Sequence, residues 1–267
     1  MDGRLVALTG HYYAEGPPDD PRVTTERLLA GDAWVAAQMK TVEAFAETHS
    51  LRYRMTEGNS CYRGGKPGMS NAFAAALWAG DYMLLLASLG CVGVNLHGGD
   101  SRFLTAGLGG HTPGLEAAKQ PQAMPNGFYT PIASERGGVV HAMPIFYGVM
   151  VANALAGMRL VDAELKGAGN ATAYAAMGQD GFRVAVFNKD AGRGMDLSIR
   201  APRGVKTATA WRLQAPGLDA KEDVTLAGAA IGAHGVWAPT TVEPVAVRDG
   251  AARLRVPAAS AVLVFLT

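Results

Sequence analysis

Glu57 closes a short strand-like run, Leu51-Arg52-Tyr53-Arg54-Met55-Thr56, and Gly58-Asn59-Ser60 follow it at once. Tyr62, Gly64, Gly65, Pro67 and Gly68 extend the turn before a helical segment opens near Asn71. A carboxylate at the C-terminal tip of a buried parallel strand can attack an electrophilic carbon or take a proton, and barrel enzymes place such groups at strand tips. Two more strand-like runs end in polar groups. Leu5 to Thr9 leads into Gly10-His11-Tyr12-Tyr13, and Cys91 to Leu96 leads into His97-Gly98-Gly99. Three strand tips, each followed by a helix, predict one side of a shared site.

The side chains at these tips each carry two readings. Tyr12, Tyr13 and Tyr62 suit a sugar site, through stacking and hydroxyl hydrogen bonds. Neighbours on a strand face opposite sides, so one of Tyr12 and Tyr13 equally suits the core. His11 and His97 each end a strand, and a lone histidine also serves as a satisfied structural group. The Gly64-Gly65 and Gly98-Gly99 pairs either admit a ligand close to the backbone or make turns. His49, His111, His141 and His234 have no supporting context.

Several chemistries lack their signals. No G-x-G-x-x-G or P-loop opens a helix, and Ser60 is not in a G-x-S-x-G setting. No His-x-x-x-His pair supports a metal, and the two cysteines, Cys61 and Cys91, cannot make a metal site alone. Reduced thiols are expected for both, with a disulfide the alternative. No cofactor is implied. A net charge of +1 offers no field for nucleic acid, and no apolar run spans a membrane. The nearest, Phe73 to Leu89, is interrupted by Asp81 and reads as a helix packed on a sheet.

The 267 residues, 49% hydrophobic and 18% charged, suffice for two domains or one large one. Residues 1–159 alternate strand and helix, which predicts parallel βα units. Val23-Thr24-Thr25-Glu26 predicts a helix start with a threonine as cap, Gly31-Asp32 breaks the helical pattern in two, and Pro144 to Leu155 reads as a closing helix with Gly157 as its stop. Between His97 and about Gly138 lies a long, Gly- and Pro-rich stretch without periodicity. From residue 160 to 267 the pattern changes to short β-rich segments: Ala171–Ala176, Phe182–Phe187, Met195–Ile199, Thr207–Leu213, Val242–Val247 and Ala261–Leu266. Turn signals such as Asp249-Gly250 separate them and predict an antiparallel β-sandwich domain.

His11-Tyr12-Tyr13, the stretch Thr56 to Gly65, Asn71 to Trp78 and Gly93 to Gly99 together resemble glycoside hydrolase family 79, which contains bacterial β-glucuronidases and is similar to heparanase. The resemblance runs through almost the whole chain and is most specific from Thr56 to Trp78. It implies α/β plus all-β architecture: the C-terminal part of a (β/α)8 barrel, strands six to eight over residues 1–159, then the sandwich. It implies that Glu57 is the retaining nucleophile and that Tyr13 is an aromatic residue beside it, near His11. Tyr62 with the Gly64-Gly65 backbone would receive the uronate carboxylate of a glucuronide or related glycoside, and Gly98-Gly99 would lie where the eighth loop closes over the sugar.

The same resemblance exposes a gap. The family carries its acid/base Glu, usually after Asn, on the fourth barrel strand, and no Asn-Glu dipeptide occurs here. A retaining glycosidase needs two carboxylates about 5 Å apart, and Glu15 and Glu26 lie in the wrong units. The expectation is a C-terminal portion of such an enzyme, inactive alone, with Met1 an internal start or the product of a truncated gene model, and an open barrel edge at Leu5–Thr9 that favours self-association. The alternative is a non-catalytic carbohydrate-binding or structural remnant. The first residues carry no signal-peptide pattern, while the family is often exported.

Overall fold

The computed structural model describes residues 5–31, 33–99, 127–134, 140–167 and 169–267. Met1, Asp32 and most of the stretch after Gly99 lie outside the described residues, so the readings placed on them stand as expectations.

The first layer is a three-stranded parallel sheet of β1 (Ala7–Glu15), β2 (Arg52–Cys61) and β3 (Cys91–Leu96), with β2 in the centre. Helices α1 (Thr25–Ala30) and α2 (Ala33–Thr48) connect β1 to β2, and α3 (Phe73–Ser88) connects β2 to β3. Thr24 caps α1 by accepting a hydrogen bond from the Arg27 N–H, as its type predicts. No closed barrel is present among the described residues.

β1 and β2 run longer than their sequences suggest. β2 continues through Glu57-Gly58-Asn59-Ser60-Cys61, so Glu57 sits within the strand and not at its last residue. Turn-forming types stay extended here because tertiary bonds hold them. The Asn59 amide donates to the carbonyls of His97 (2.7 Å) and Tyr129 (3.0 Å), and Ser60 Oγ bonds Ser70 Oγ at 2.9 Å. The longer β2 also separates the cysteines: Cys91 pairs with Tyr53 near one end while Cys61 pairs with Glu15 at the other, and both thiols are free.

Helix α3 is apolar on nearly every side because it is covered on nearly every side. On one flank Trp78 stacks on Tyr82 at 4.9 Å, and Tyr82 on Tyr12 at 5.5 Å, which puts Tyr12 in the core. On another lies α4 (Pro144–Asn153), where Gly148 approaches Ala76 O so closely that no side chain fits. On a third lies the β-rich part. A hairpin of β4 (Ile132–Ser134) and β5 (Val140–Ala142), not foreseen in the sequence, precedes α4.

The β-rich part starts with β6 (Arg159–Val161), β7 (Ala171–Gly178) and β8 (Gly181–Asn188), followed by β9 (Met195–Arg200), β10 (Ala208–Gln214) and β11 (Thr225–Leu226). β12 (Glu243–Val245), β13 (Val247–Arg248), β14 (Ala251–Val256) and β15 (Ser260–Leu266) complete it. All its pairings are antiparallel. β11-β10-β15-β8-β7-β6 form one sheet, joined by β12 on β10, and β13-β14-β9 form another. The two share a core: Leu197, Ala252 and Val256 meet Val184, Val186, Ala210, Val262 and Val264. The sequence pattern misses β14, because Ala and Arg dominate it and only Ala252 and Val256 are fully buried. The other face of the larger sheet packs on α3 through Phe187, Tyr174 and Leu263. There Asp81 of α3 accepts hydrogen bonds from Thr172 and Tyr174, both 2.6 Å, and pairs with buried Lys189 at 2.5 Å. No described helix is long and apolar enough to cross a membrane.

Candidate active site

Parallel pairing sets His11 opposite Glu57 and Tyr13 opposite Asn59, so His11, Tyr13 and Glu57 share one face by the two-residue period of strands. Tyr12 points the other way into α3, which settles which of the paired tyrosines belongs to the core. The Tyr13 hydroxyl donates to Glu57 Oε1 at 2.7 Å. His11 Nδ1 lies 3.6 Å from the second oxygen, Oε2, beyond a good hydrogen bond. The Glu57 side chain is 33% exposed, so it is neither free surface nor closed core.

Burial, and next the hydrogen bond to Glu57, push the Tyr13 phenol well above the usual tyrosine range. Tyr13 therefore stays protonated and acts as a fixed donor to the carboxylate. Tyr129, fully buried, leans on Tyr13 with ring centroids 6.2 Å apart, and its hydroxyl pairs with His97 Nδ1 at 2.7 Å. Burial raises the Tyr129 phenol as well. Tyr62 meets the Tyr13 ring edge-on at 6.4 Å.

The loop after β2 turns through left-handed backbone at Arg63, Gly64 and Gly65, with φ of 58°, 87° and 90°. Only glycine takes such angles without strain, which explains Gly64 and Gly65 but not Arg63. Gly64 O accepts from the Tyr129 N–H at 3.4 Å, so the glycines join the cluster through Tyr129. Gly98 and Gly99 sit one step away. Gly99 bonds the Thr130 hydroxyl at 3.1 Å and Gly98 packs on Thr130 and Pro131, contacts that seat the Tyr129 segment.

Tyr129 is the site residue the sequence concealed. It stands 70 positions beyond Asn59, whose amide grips its carbonyl, in a stretch with no periodicity to flag it. His97 was visible only as a lone strand-end histidine, and its partner explains its place. Among the described residues no group of three or more His, Cys, Asp or Glu is placed to hold a metal ion.

Residues 173–263 match the Glycosyl hydrolase family 79 C-terminal beta domain. A β-glucuronidase of Aspergillus niger is 28% identical over 202 residues, covering 69% of this chain and 32% of that protein. A β-glucuronidase of Neurospora crassa is 51% identical over 108 residues, 37% of this chain and 18% of that protein. The chain thus spans a third or less of the length of these relatives. Among solved structures, a 4-O-α-L-rhamnosyl-β-D-glucuronidase of Fusarium oxysporum superposes with a TM-score of 0.73 at 21% identity, over 97% of this chain and 53% of that one. An α-L-arabinofuranosidase of Thermotoga maritima superposes with a TM-score of 0.64 at 14% identity, over 98% and 53%. At these identities the superpositions show a shared fold. By its C-terminal β domain, its relatives and its fold, the chain resembles the C-terminal portion of the glycoside hydrolases of family 79.

Proposed function

We propose that this chain carries the nucleophile half of a retaining, β-glucuronidase-like glycoside hydrolase, built on three βα units of a (β/α)8 barrel and a β-sandwich. The observation that carries this reading is the Tyr13 hydroxyl held 2.7 Å from Glu57 Oε1 on the open face of a parallel sheet. A protonated phenol on one carboxylate oxygen fixes the carboxylate's orientation and leaves the other oxygen for attack. In the first step a Glu57 oxygen bonds to the anomeric carbon as the bond to the leaving oxygen breaks. In the second, water displaces Glu57 and the sugar is released.

Leaving-group protonation needs a second carboxyl group. Glu15, the last residue of β1, is buried and paired with Arg27 at 3.0 Å. The proton donor is assigned to the portion of the relatives' length that this chain does not span. Without it, ordinary glucuronide turnover by this chain should fall by about 10²–10⁴-fold, the usual contribution of general acid catalysis.

The test removes the need for that acid. With 2-deoxy-2-fluoro-β-D-glucuronyl fluoride, the C1–F bond breaks without protonation by an enzyme carboxyl group, and the fluorine at C2 slows hydrolysis of the ester formed. The expected result is a covalent glucuronyl adduct on the Glu57 peptide by mass spectrometry, absent in Glu57→Gln. An adduct on another carboxylate overturns the assignment. Glucuronide binding with no adduct at all favours the carbohydrate-binding remnant.

A further inference from the structure

The smaller sheet, β13-β14-β9, turns one face to the larger sheet and the other to solvent. Register decides what each face carries. Arg253 pairs with Ser198, Arg255 with Asp196, and Ala251 with Arg200 on one side and Arg248 on the other. Directly opposed residues share a face, and every second residue repeats it. Leu197, Ala252 and Val256 therefore enter the core, while Arg200, Arg248, Arg253 and Arg255 all stand exposed on the outer face. The other positions of that face are Asp196, Ser198 and Ala251.

Like charges on neighbouring strands repel, and the core behind this face needs none of them. Only Arg255 has a counter-charge: Asp196 lies 3.3 Å from it, at the end of the face away from Arg248. Among the described residues Arg200, Arg248 and Arg253 have no ion-pair partner, and Asp249, next to Arg248, does not supply one. Between them the floor is low. Arg248 and Arg200 flank Ala251 from the two adjoining strands, two strand spacings or about 10 Å apart. Arg253 follows two residues along β14, beside Ser198. The turn after β9 adds Arg203 and Lys206, both exposed.

Unpaired guanidinium forks over small side chains suit a chain of planar anions laid across the strands. The face has no aromatic ring on which bases would stack and no large apolar group to enter a lipid surface. Its position separates it from Glu57. Behind the parallel sheet lie α3, the larger sheet and the smaller sheet, in that order, so the arginines are at the opposite end of the molecule.

We infer that the outer face of β13-β14-β9 is a second glycan-binding site, where Arg200, Arg248 and Arg253 hold carboxylates of an acidic polysaccharide. The choice of a saccharide among polyanions rests on the glycosidase reading above.

Affinity electrophoresis of the chain through gels containing polyglucuronate, dextran, polyglutamate or double-stranded DNA tests this. Polyglucuronate should retard the native chain most and dextran not at all, and half-molar sodium chloride should release it. Combining Arg200→Ser, Arg248→Ser and Arg253→Ser should weaken polyglucuronate binding about 10-fold, the sum expected of three exposed ion pairs. The corresponding triple Lys variant should recover much of it. The triple Ser variant should keep the native thermal midpoint and the native rate of Glu57 labelling by the glucuronyl fluoride. Equal retardation of the native and triple Ser chains overturns the inference, as does tighter retention by polyglutamate or DNA than by polyglucuronate. A chain retarded through these arginines but never labelled at Glu57 supports the binding face and sinks the glycosidase reading alone.

Discussion

Tyr13 is paired across the sheet with Asn59, yet its hydroxyl reaches back two positions to Glu57. The reach is set by geometry: both side chains lie on one face, and the Tyr129 ring leans on Tyr13. A charge-assisted hydrogen bond of this kind contributes about 1.5–3 kcal/mol. Tyr13→Phe should therefore slow covalent labelling of Glu57 about 10- to 100-fold and lower the thermal midpoint by roughly a few degrees. A rate within twofold of the native chain would show that the phenol does not hold the carboxylate in its working orientation.

Tyr62→Phe separates binding from chemistry. The ring contacts with Tyr13 and Arg63 survive the change, and only the hydroxyl is lost. Labelling by the glucuronyl fluoride should drop by more than labelling by the corresponding glucosyl fluoride. Equal losses would mean that the Tyr62 hydroxyl does not touch the carboxylate.

The contact between α3 and the larger sheet contains a buried charge pair. Lys189→Met should cost about 3 kcal/mol, since Asp81 keeps its bonds to Thr172 and Tyr174 but loses its counter-charge. Adding Asp81→Leu should recover much of the loss. Urea denaturation of the single and double variants measures both, and a single variant as stable as the native chain would show that the pair is energetically idle.

Alkaline pH should unfold the chain early. Burial pushes the Cys61 thiol from an ordinary 9.0 up to about 12. Between those values the unfolded chain has released the proton and the folded chain still holds it, so stability is intact below 9 and falls as pH rises towards 12. Cys61→Ala should flatten that decline in urea midpoints measured from pH 8 to 11. The buried phenols of Tyr13, Tyr82, Tyr129 and Tyr174, raised chiefly by burial as well, add to the slope that remains.

The two outer strands, β1 and β3, present unpaired edges among the described residues, with Val6, just before β1, 86% exposed and Val92, in β3, 53% exposed. Such edges invite pairing between chains. Light scattering should show mass rising with concentration, and Val6→Lys with Val92→Lys should reduce it. A monomer at all concentrations would show that the edges are covered.

Much of this layout was legible because it obeys short-range rules. Cys91–Leu96 emerges as a strand with the bounds its apolar run announces, and Thr24 and Gly31 punctuate α1 as their types dictate. What stayed hidden depends on long-range partners. Residues 57–61 look like a turn until His97, Ser70 and Tyr129 are there to hold them straight. Tyr129 itself has no local pattern, and β14 hides its two buried positions among alanines and arginines.

The near-touching of Gly148 and Ala76 bears on inheritance. Since α3 is walled by α4, by Tyr12 and by the larger β-sheet, the residues that shape Glu57's surroundings and those that shape the β-rich part answer to the same helix. Recombination between homologues anywhere from Ala156 to Ala171 would splice one parent's helix onto another's sheet and mismatch Gly80 against Phe187 and Asp81 against Lys189. The two parts should therefore travel through evolution as a single heritable block, and chimeras should survive only when α3 and the sheet come from the same ancestor.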